Sequence, residues 1–162
     1  LLSEVIPTLT KPGDTHDYFT NEQVKMLGID PFYGLAHYPK TEYYRSNTFN
    51  MNEYTGFFEF IIPTFPHGWL DMDRVEEYRT ILRNNEKPSI VTLSVLDVKE
   101  PEDYNEEEDI NNHWCLANYL IDGHHKAYAA ALESKPLTMI SFIAVEKGVS
   151  SEEDINKLLE LL

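Results

Sequence analysis

Hydrophobic and polar positions follow two rhythms in the second half of the chain. "GFFEFIIP" (56–63), "SIVTLSVLDV" (89–98), "CLANYLID" (115–122) and "LTMISFIAVEK" (137–147) are short apolar runs, rich in β-branched and aromatic residues. Runs of that length, bounded by turn residues, predict strands. "LDMDRVEEYRTILRN" (70–84) instead repeats at helical spacing and sets Val75, Tyr78 and Leu82 on one stripe. "HHKAYAAALES" (124–134) predicts an alanine-rich helix. The chain closes on an amphipathic helix in which Ser150 and Glu153 form a capping box and Ile155, Leu158, Leu159 and Leu162 make the buried stripe. From residue 56 the order is strand, helix, strand, acidic loop, strand, helix, strand, helix, the pattern of a small α/β or α+β domain.

The first 55 residues lack this rhythm. Thr20 with Gln23 predicts the start of a short helix, which Gly28 and Pro31 would end. Residues 32–60 hold ten of the twenty aromatic side chains: Phe32, Tyr33, Tyr38, Tyr43, Tyr44, Phe49, Tyr54, Phe57, Phe58 and Phe60. Platforms for single-stranded nucleic acid interleave aromatics with arginine and lysine, and here only Lys40 and Arg45 are at hand. The aromatics therefore read as an irregular layer on the core or as a partner surface. The expected organisation is an N-terminal extension (1–55) packed on a main domain (56–162), together one compact unit.

Charge narrows the function classes. The chain of 162 residues carries 28 acidic and 13 basic side chains, a formal net charge of −15. Binding to duplex DNA draws on neutralisation of phosphates by lysine and arginine, so a duplex partner is not expected. A basic protein partner fits the charge, and so does plain solubility. Residues 97–109 hold eight carboxylates and one lysine, without the central glycine of a calcium-binding loop. No apolar run approaches the ~18 residues of a bilayer span. The single cysteine, Cys115, precludes an internal disulfide and points to a cytoplasmic setting. The opening "LLSEV", without methionine, reads as a trimmed or partial chain.

One stretch concentrates chemistry. "NYLIDGHHKAYAAA" (118–131) sets Asp122, Gly123, His124, His125 and Lys126 where a strand turns into a helix. The first backbone N–H groups of a helix have no intrahelical acceptor and carry the positive end of the macrodipole. An anion bound there accepts hydrogen bonds that the helix cannot use. Gly123 permits a sharp turn and close approach of a ligand. His124, His125 and Lys126 offer donors and charge. Asp122 suits a proton acceptor, an orienter of histidine or a Mg²⁺ ligand. Asp-Gly is also a common capped turn, so spacing alone leaves both readings open. His113 and Cys115 alternate on a strand near this turn, yet their spacing matches no established zinc pattern. No metal site is assigned to them. His67, between Pro66 and Gly68, either lines the same cleft or is an ordinary loop residue.

From about Ile62 to Lys147 the chain resembles the ParB/sulfiredoxin-like superfamily. The likeness rests on "DRVEEYRTILRNNEKPSIVTL", then "YLIDGHHKAYAAA", then "LTMISFIAV". In that family the corresponding turn contacts nucleotide phosphates, in ATP-using sulfiredoxins, CTP-binding partition proteins and ADP-dependent free-serine kinases. Sulfiredoxin-like turns carry a cysteine where His124 stands. Partition-type turns read "G-E-R-R" and come with a helix-turn-helix and a basic surface. The serine-kinase pattern "D-G-H-x-R" matches Asp122, Gly123 and His124, with Lys126 replacing arginine and losing its bidentate geometry. The resemblance implies a ParB/sulfiredoxin-like α/β (α+β) domain that binds a phosphate-bearing small ligand, a nucleotide such as ATP or ADP with Mg²⁺. Gly123, His124, His125 and Lys126 would hold the phosphate, and Asp122, His124 and His125 would act in phosphoryl transfer or nucleotide hydrolysis. Any further carboxylate would come from the region of Glu53, Glu59 or Asp71. The alternative expectation is a non-catalytic acidic interaction protein, antitoxin- or immunity-like, on the same frame.

Overall fold

The computed structural model of the protein describes residues 1–14, 39, 41–53, 55–99, 112–146 and 148–161. Strands β1 (Leu2–Val5), β2 (Thr8–Thr10), β3 (Tyr43–Asn52), β4 (Thr55–Pro63), β5 (Ser89–Lys99), β6 (Asn112–Asp122) and β7 (Leu137–Ile143) join in one sheet. Among the described residues three α-helices accompany it, α1 (Met72–Arg83), α2 (His124–Glu133) and α3 (Glu152–Leu161), together with a 3-10 turn at His67–Trp69. The sheet is mixed, in the order β1-β7-β5-β6-β4-β3-β2. β4 runs parallel to β6 and β5 parallel to β7, while β5 and β6 are antiparallel. The architecture is α+β.

The four strands expected from periodicity are present within a few residues. β6 begins three residues before the expected run, and β7 stops at Ile143 rather than Lys147. β1, β2 and β3 were not expected. Together they extend the same sheet at its two edges, β1 on β7 and β2 on β3. The aromatic segment is thus a hairpin arm where it is described: Tyr43 and Tyr44 open β3, Phe57 and Phe60 lie in β4, and all four are buried. The helix expected between Thr20 and Pro31 lies outside the described residues, as does most of the acidic stretch.

Side chains alternate along β4 and β6. Phe57, Glu59 and Ile61 therefore share a face with Trp114, Leu116, Asn118 and Leu120. On this face α1 and α2 close one apolar cluster through Val75, Leu82, Ala127 and Ala130 against Ile61, Ile90, Leu120 and Leu137. α3 closes a second through Ile155 and Leu158 against Phe57, Leu96, Trp114 and Leu116. Full burial of a residue such as Leu82 contributes about 1.5–3 kcal/mol. Between the clusters runs a buried polar row. Ser94 donates to Asn118 Oδ1 at 2.5 Å, Asn118 donates to Glu59 Oε1 at 3.3 Å, and Ser46 and Asn47 donate to Glu59 Oε2 at 2.7 and 2.8 Å. Burial pushes the Glu59 carboxyl above its ordinary value, against the opposing pull of these donors.

The last helix starts one residue later than its sequence suggests. Ser150 Oγ donates to Leu96 O at 2.8 Å and accepts from Val98 N–H at 3.1 Å, so its hydroxyl is committed to β5. Ser151 caps instead: its Oγ accepts from Asp154 N–H at 3.1 Å, and Asp154 Oδ2 accepts from Ser151 N–H at 3.3 Å. Leu159, expected in the buried stripe, is 47% exposed. It sits about 100° around the helix from Leu158, away from the sheet.

Candidate functional site

The β6–α2 turn forms the floor of a cleft of about 380 Å³, lined by Phe65, Arg74, Tyr78, Ile121, Asp122, Gly123, His124, His125 and Lys126. The five expected site residues are therefore together, and α1 and the 64–69 loop complete the walls. Gly123 makes the turn possible. It has φ +99°, and a Cβ there would meet Ile90 Cγ2 at 2.7 Å, so only glycine fits. Gly123 also begins α2 without a side-chain cap. Ala127 N–H bonds Gly123 O at 2.8 Å. The N–H groups of His124, His125 and Lys126 have no protein acceptor among the described residues.

The two histidines play different parts. His124 is 6% exposed. Its Nε2 lies 3.2 Å from Thr64 N–H and 3.1 Å from Thr64 Oγ1, and its ring stacks on Phe65 with centroids 3.7 Å apart. Burial lowers its pKa to about 4, with His125 and His67 adding repulsion against the pull of Asp122. His124 is therefore neutral at pH 7. Through Nε2 its side chain pins the turn to the 64–65 loop, and it brings no positive charge to the cleft. His125 Nε2 accepts from Asp71 N–H at 3.1 Å. A neutral imidazole that accepts at Nε2 carries its proton on Nδ1, and this N–H has no partner among the described residues.

Lys126 lies beside the turn, donating from Nζ to Ser89 O at 2.9 Å and sitting 3.5 Å from Asp122 Oδ2. Its ammonium is 5.7 Å from the centroid of the Tyr78 ring. The Asp122 carboxylate is 70% exposed. An exposed carboxylate of this kind could serve as one oxygen ligand of a Mg²⁺ ion, which keeps most of its waters.

Arg74 is a site residue that sequence reasoning missed. α1 carries three arginines. Arg79 and Arg83 are bound to Glu133 and Glu76 in a network that ties α1 to α2. Arg74 has no ion pair among the described residues, and it is one of the residues that line the cleft. Its only sequence signal was a place in the arginine-bearing helix. Of the carboxylates weighed as extra catalytic groups, Asp71 caps α1 next to His125, whereas Glu59 is buried in the polar row, outside the cleft lining.

A second cavity of about 320 Å³, lined by Thr41, Glu42, Pro63, Thr64, Phe65, Pro66 and His67, shares Phe65 with the first. Here His67 Nδ1 lies 2.6 Å from Glu42 Oε2, and its Nε2 lies 2.9 Å from the Tyr44 hydroxyl. His67 and then Lys11 hold the Glu42 carboxyl below its ordinary value. Burial, followed by the proximity of Tyr128 and Glu42, raises that of Tyr44. Both ring nitrogens of His67 are engaged, so it is a structural link and not a free donor in the cleft at the β6–α2 turn. His113 packs its ring on Phe58 at 5.0 Å, and Cys115 is buried. Among the described residues no three histidine, cysteine or acidic side chains converge as metal ligands would.

Comparison of the chain with protein-family models, with curated protein sequences and with solved structures finds no match.

Proposed function

We propose that the cleft at the start of α2 binds the phosphate groups of a nucleotide with Mg²⁺, on a ParB/sulfiredoxin-like frame. The observation that carries this reading is the uncapped N-terminus of α2, whose first three N–H groups have no partner among the described residues and lie at a cleft that also holds Arg74 and Lys126. Backbone donors, the helix dipole and two cations are the components of a phosphate cradle. His125 Nδ1–H adds a neutral donor. Asp122 would hold the metal ion, which would draw charge from the phosphate oxygens. In this reading Arg74 and Lys126 would stabilise charge on a transferring phosphoryl group, the demand of a phosphotransferase or a nucleotide hydrolase.

Arg74 provides the cleanest test, because among the described residues it has no ion pair to lose. Arg74→Ala removes a charge-assisted hydrogen bond worth about 1.5–3 kcal/mol. It should weaken ATP or ADP binding by about 10- to 150-fold in calorimetric titration, with the unfolding midpoint of the free protein unchanged. Unaltered affinity in Arg74→Ala would remove the cleft from consideration.

A second reading, an acidic interaction protein, is favoured by a strip on the face opposite the helices. Leu2 pairs with Ile140 and Leu93 with Phe142 in register, and all four are exposed. Absence of a thermal shift with any nucleotide, with or without Mg²⁺, would favour this reading.

A further inference from the structure

Trp69 is 75% exposed, the most exposed of the large hydrophobic side chains among the described residues. It is not isolated. Its ring stacks on Phe65 at 6.2 Å with 22° between planes, and Phe65 in turn stacks on His124 at 3.7 Å and 22°. A row of near-parallel rings therefore leads from the first residue of α2 to a tryptophan in solvent. The position of the row is fixed at both ends. His124 Nε2 is bound by Thr64, and two residues after Trp69 the Asp71 N–H is bound to His125. Two residues of chain span at most about 7 Å, so Trp69 lies within the length of a nucleotide from the N–H groups of α2. Leu70, buried between Trp69 and Asp71, anchors the segment.

We propose that Trp69 and Phe65 form the platform on which the planar base of the nucleotide stacks while its phosphates occupy the α2 N-terminus. The assignment rests on the phosphate reading of the cleft and adds to it the class of ligand: a base-bearing phosphate, not a sugar phosphate or inorganic polyphosphate. Stacking on an aromatic face is tolerant of base identity, since every base has a π-face. The platform selects for a nucleotide and only weakly among nucleotides.

The test uses the full chain with Mg²⁺ and three probes, ATP, inorganic tripolyphosphate and adenosine, read by calorimetry and tryptophan fluorescence. Trp114, the other tryptophan, is 7% exposed, so quenching by a ligand reports mainly on Trp69. ATP is expected to quench and tripolyphosphate to bind without quenching. Trp69→Ala should weaken ATP by about 5- to 150-fold and leave tripolyphosphate unchanged, while Trp69→Phe restores most of the ATP affinity. If ATP and tripolyphosphate bind the parent equally, or Trp69→Ala binds ATP as the parent does, the platform is overturned and the phosphate site stands. If adenosine quenches while tripolyphosphate does not bind, the platform stands and the phosphate reading falls. Failure of all three probes to bind overturns both.

Discussion

The starts of α1 and α2 lie side by side, joined by the hydrogen bond from Asp71 to His125, yet they are built in opposite ways. α1 is closed by its own chain: Asp71 Oδ1 accepts from Asp73 N–H at 3.0 Å and from Arg74 N–H at 3.4 Å. α3 is closed likewise by Ser151 and Asp154. α2 begins at a glycine with no side chain to fold back, and its N–H groups face a cleft instead of a carboxylate. A cap at an N-terminus is worth about 0.5–2 kcal/mol, so α2 forgoes stability that its neighbours keep. The contrast is one of local chemistry: a closed start stabilises its helix, whereas an open one leaves backbone donors for another acceptor.

The largest effect should come from forcing a side chain into the open start. Gly123→Ala places a Cβ against Ile90, a fully buried residue, at a φ that L-residues rarely adopt. Backbone strain of about 1–2 kcal/mol adds to a comparable overpacking cost. Urea denaturation should show a loss of about 2–4 kcal/mol. A loss below about 1 kcal/mol would mean that the turn relaxes freely and that the glycine is not what holds α2 open.

His124 supplies the next effect, and its sign follows from its pKa. Folding lowers the imidazole from 6.5 to about 4. Between those values the unfolded chain holds a proton that the folded one does not, so stability falls as pH drops through the window and the contribution is full above 6.5. At 1.36 kcal/mol per unit the total is about 3 kcal/mol at most. His124→Gln, which does not titrate, should flatten the stability profile between pH 4 and 6.5 relative to the parent. Parallel profiles would show that the ring is not buried against Thr64 and Phe65, and would restore it as a donor to the ligand.

The same neighbours explain what was legible in the sequence and what was not. β4 to β7 follow from their apolar runs, β4 and β6 being buried on both faces, and the helices α1 to α3 follow from periodicity or composition because each packs against the core. β3 gave no such signal: only Tyr43 and Tyr44 are buried, and its pairing with β4 shifts register twice, between Arg45 and Thr48 and between Asn50 and Asn52. β1 and β2, four and three residues long, are too short to show a period. In the site, Asp122 to Lys126 were visible because they are contiguous. Arg74, Phe65 and Trp69 were not, because they reach the turn only through tertiary packing. Sequence alone does not show how His124 Nε2 is held, because its partner, Thr64, lies sixty residues away. Ser150 looks like a cap in the sequence because nothing local reveals that β5 takes its hydroxyl.

The smallest effect separates the two roles of Asp71. Its carboxylate caps α1, and it also places a negative charge next to His125, at the edge of a cleft proposed to bind an anion. Asp71→Ala should cost about 1 kcal/mol of stability, because it leaves the Asp73 and Arg74 N–H groups without their acceptor. Asp71→Ser keeps a side-chain oxygen at the cap without the charge, so stability should return to within a few tenths of a kcal/mol of the parent. The backbone N–H that holds His125 is unchanged in both variants, so the cleft keeps its shape. Removing one charge near a partly exposed anion site relieves about 0.5 kcal/mol of repulsion at physiological ionic strength. Both variants should therefore bind ATP two- to threefold more tightly, and the gain should shrink as salt is added. Tighter binding in Asp71→Ser at full stability would separate the closed helix start from the open one by chemistry alone. Equal affinity in parent and variants at low salt would mean that no anion sits near Asp71, and the open start of α2 would then be a turn without a ligand.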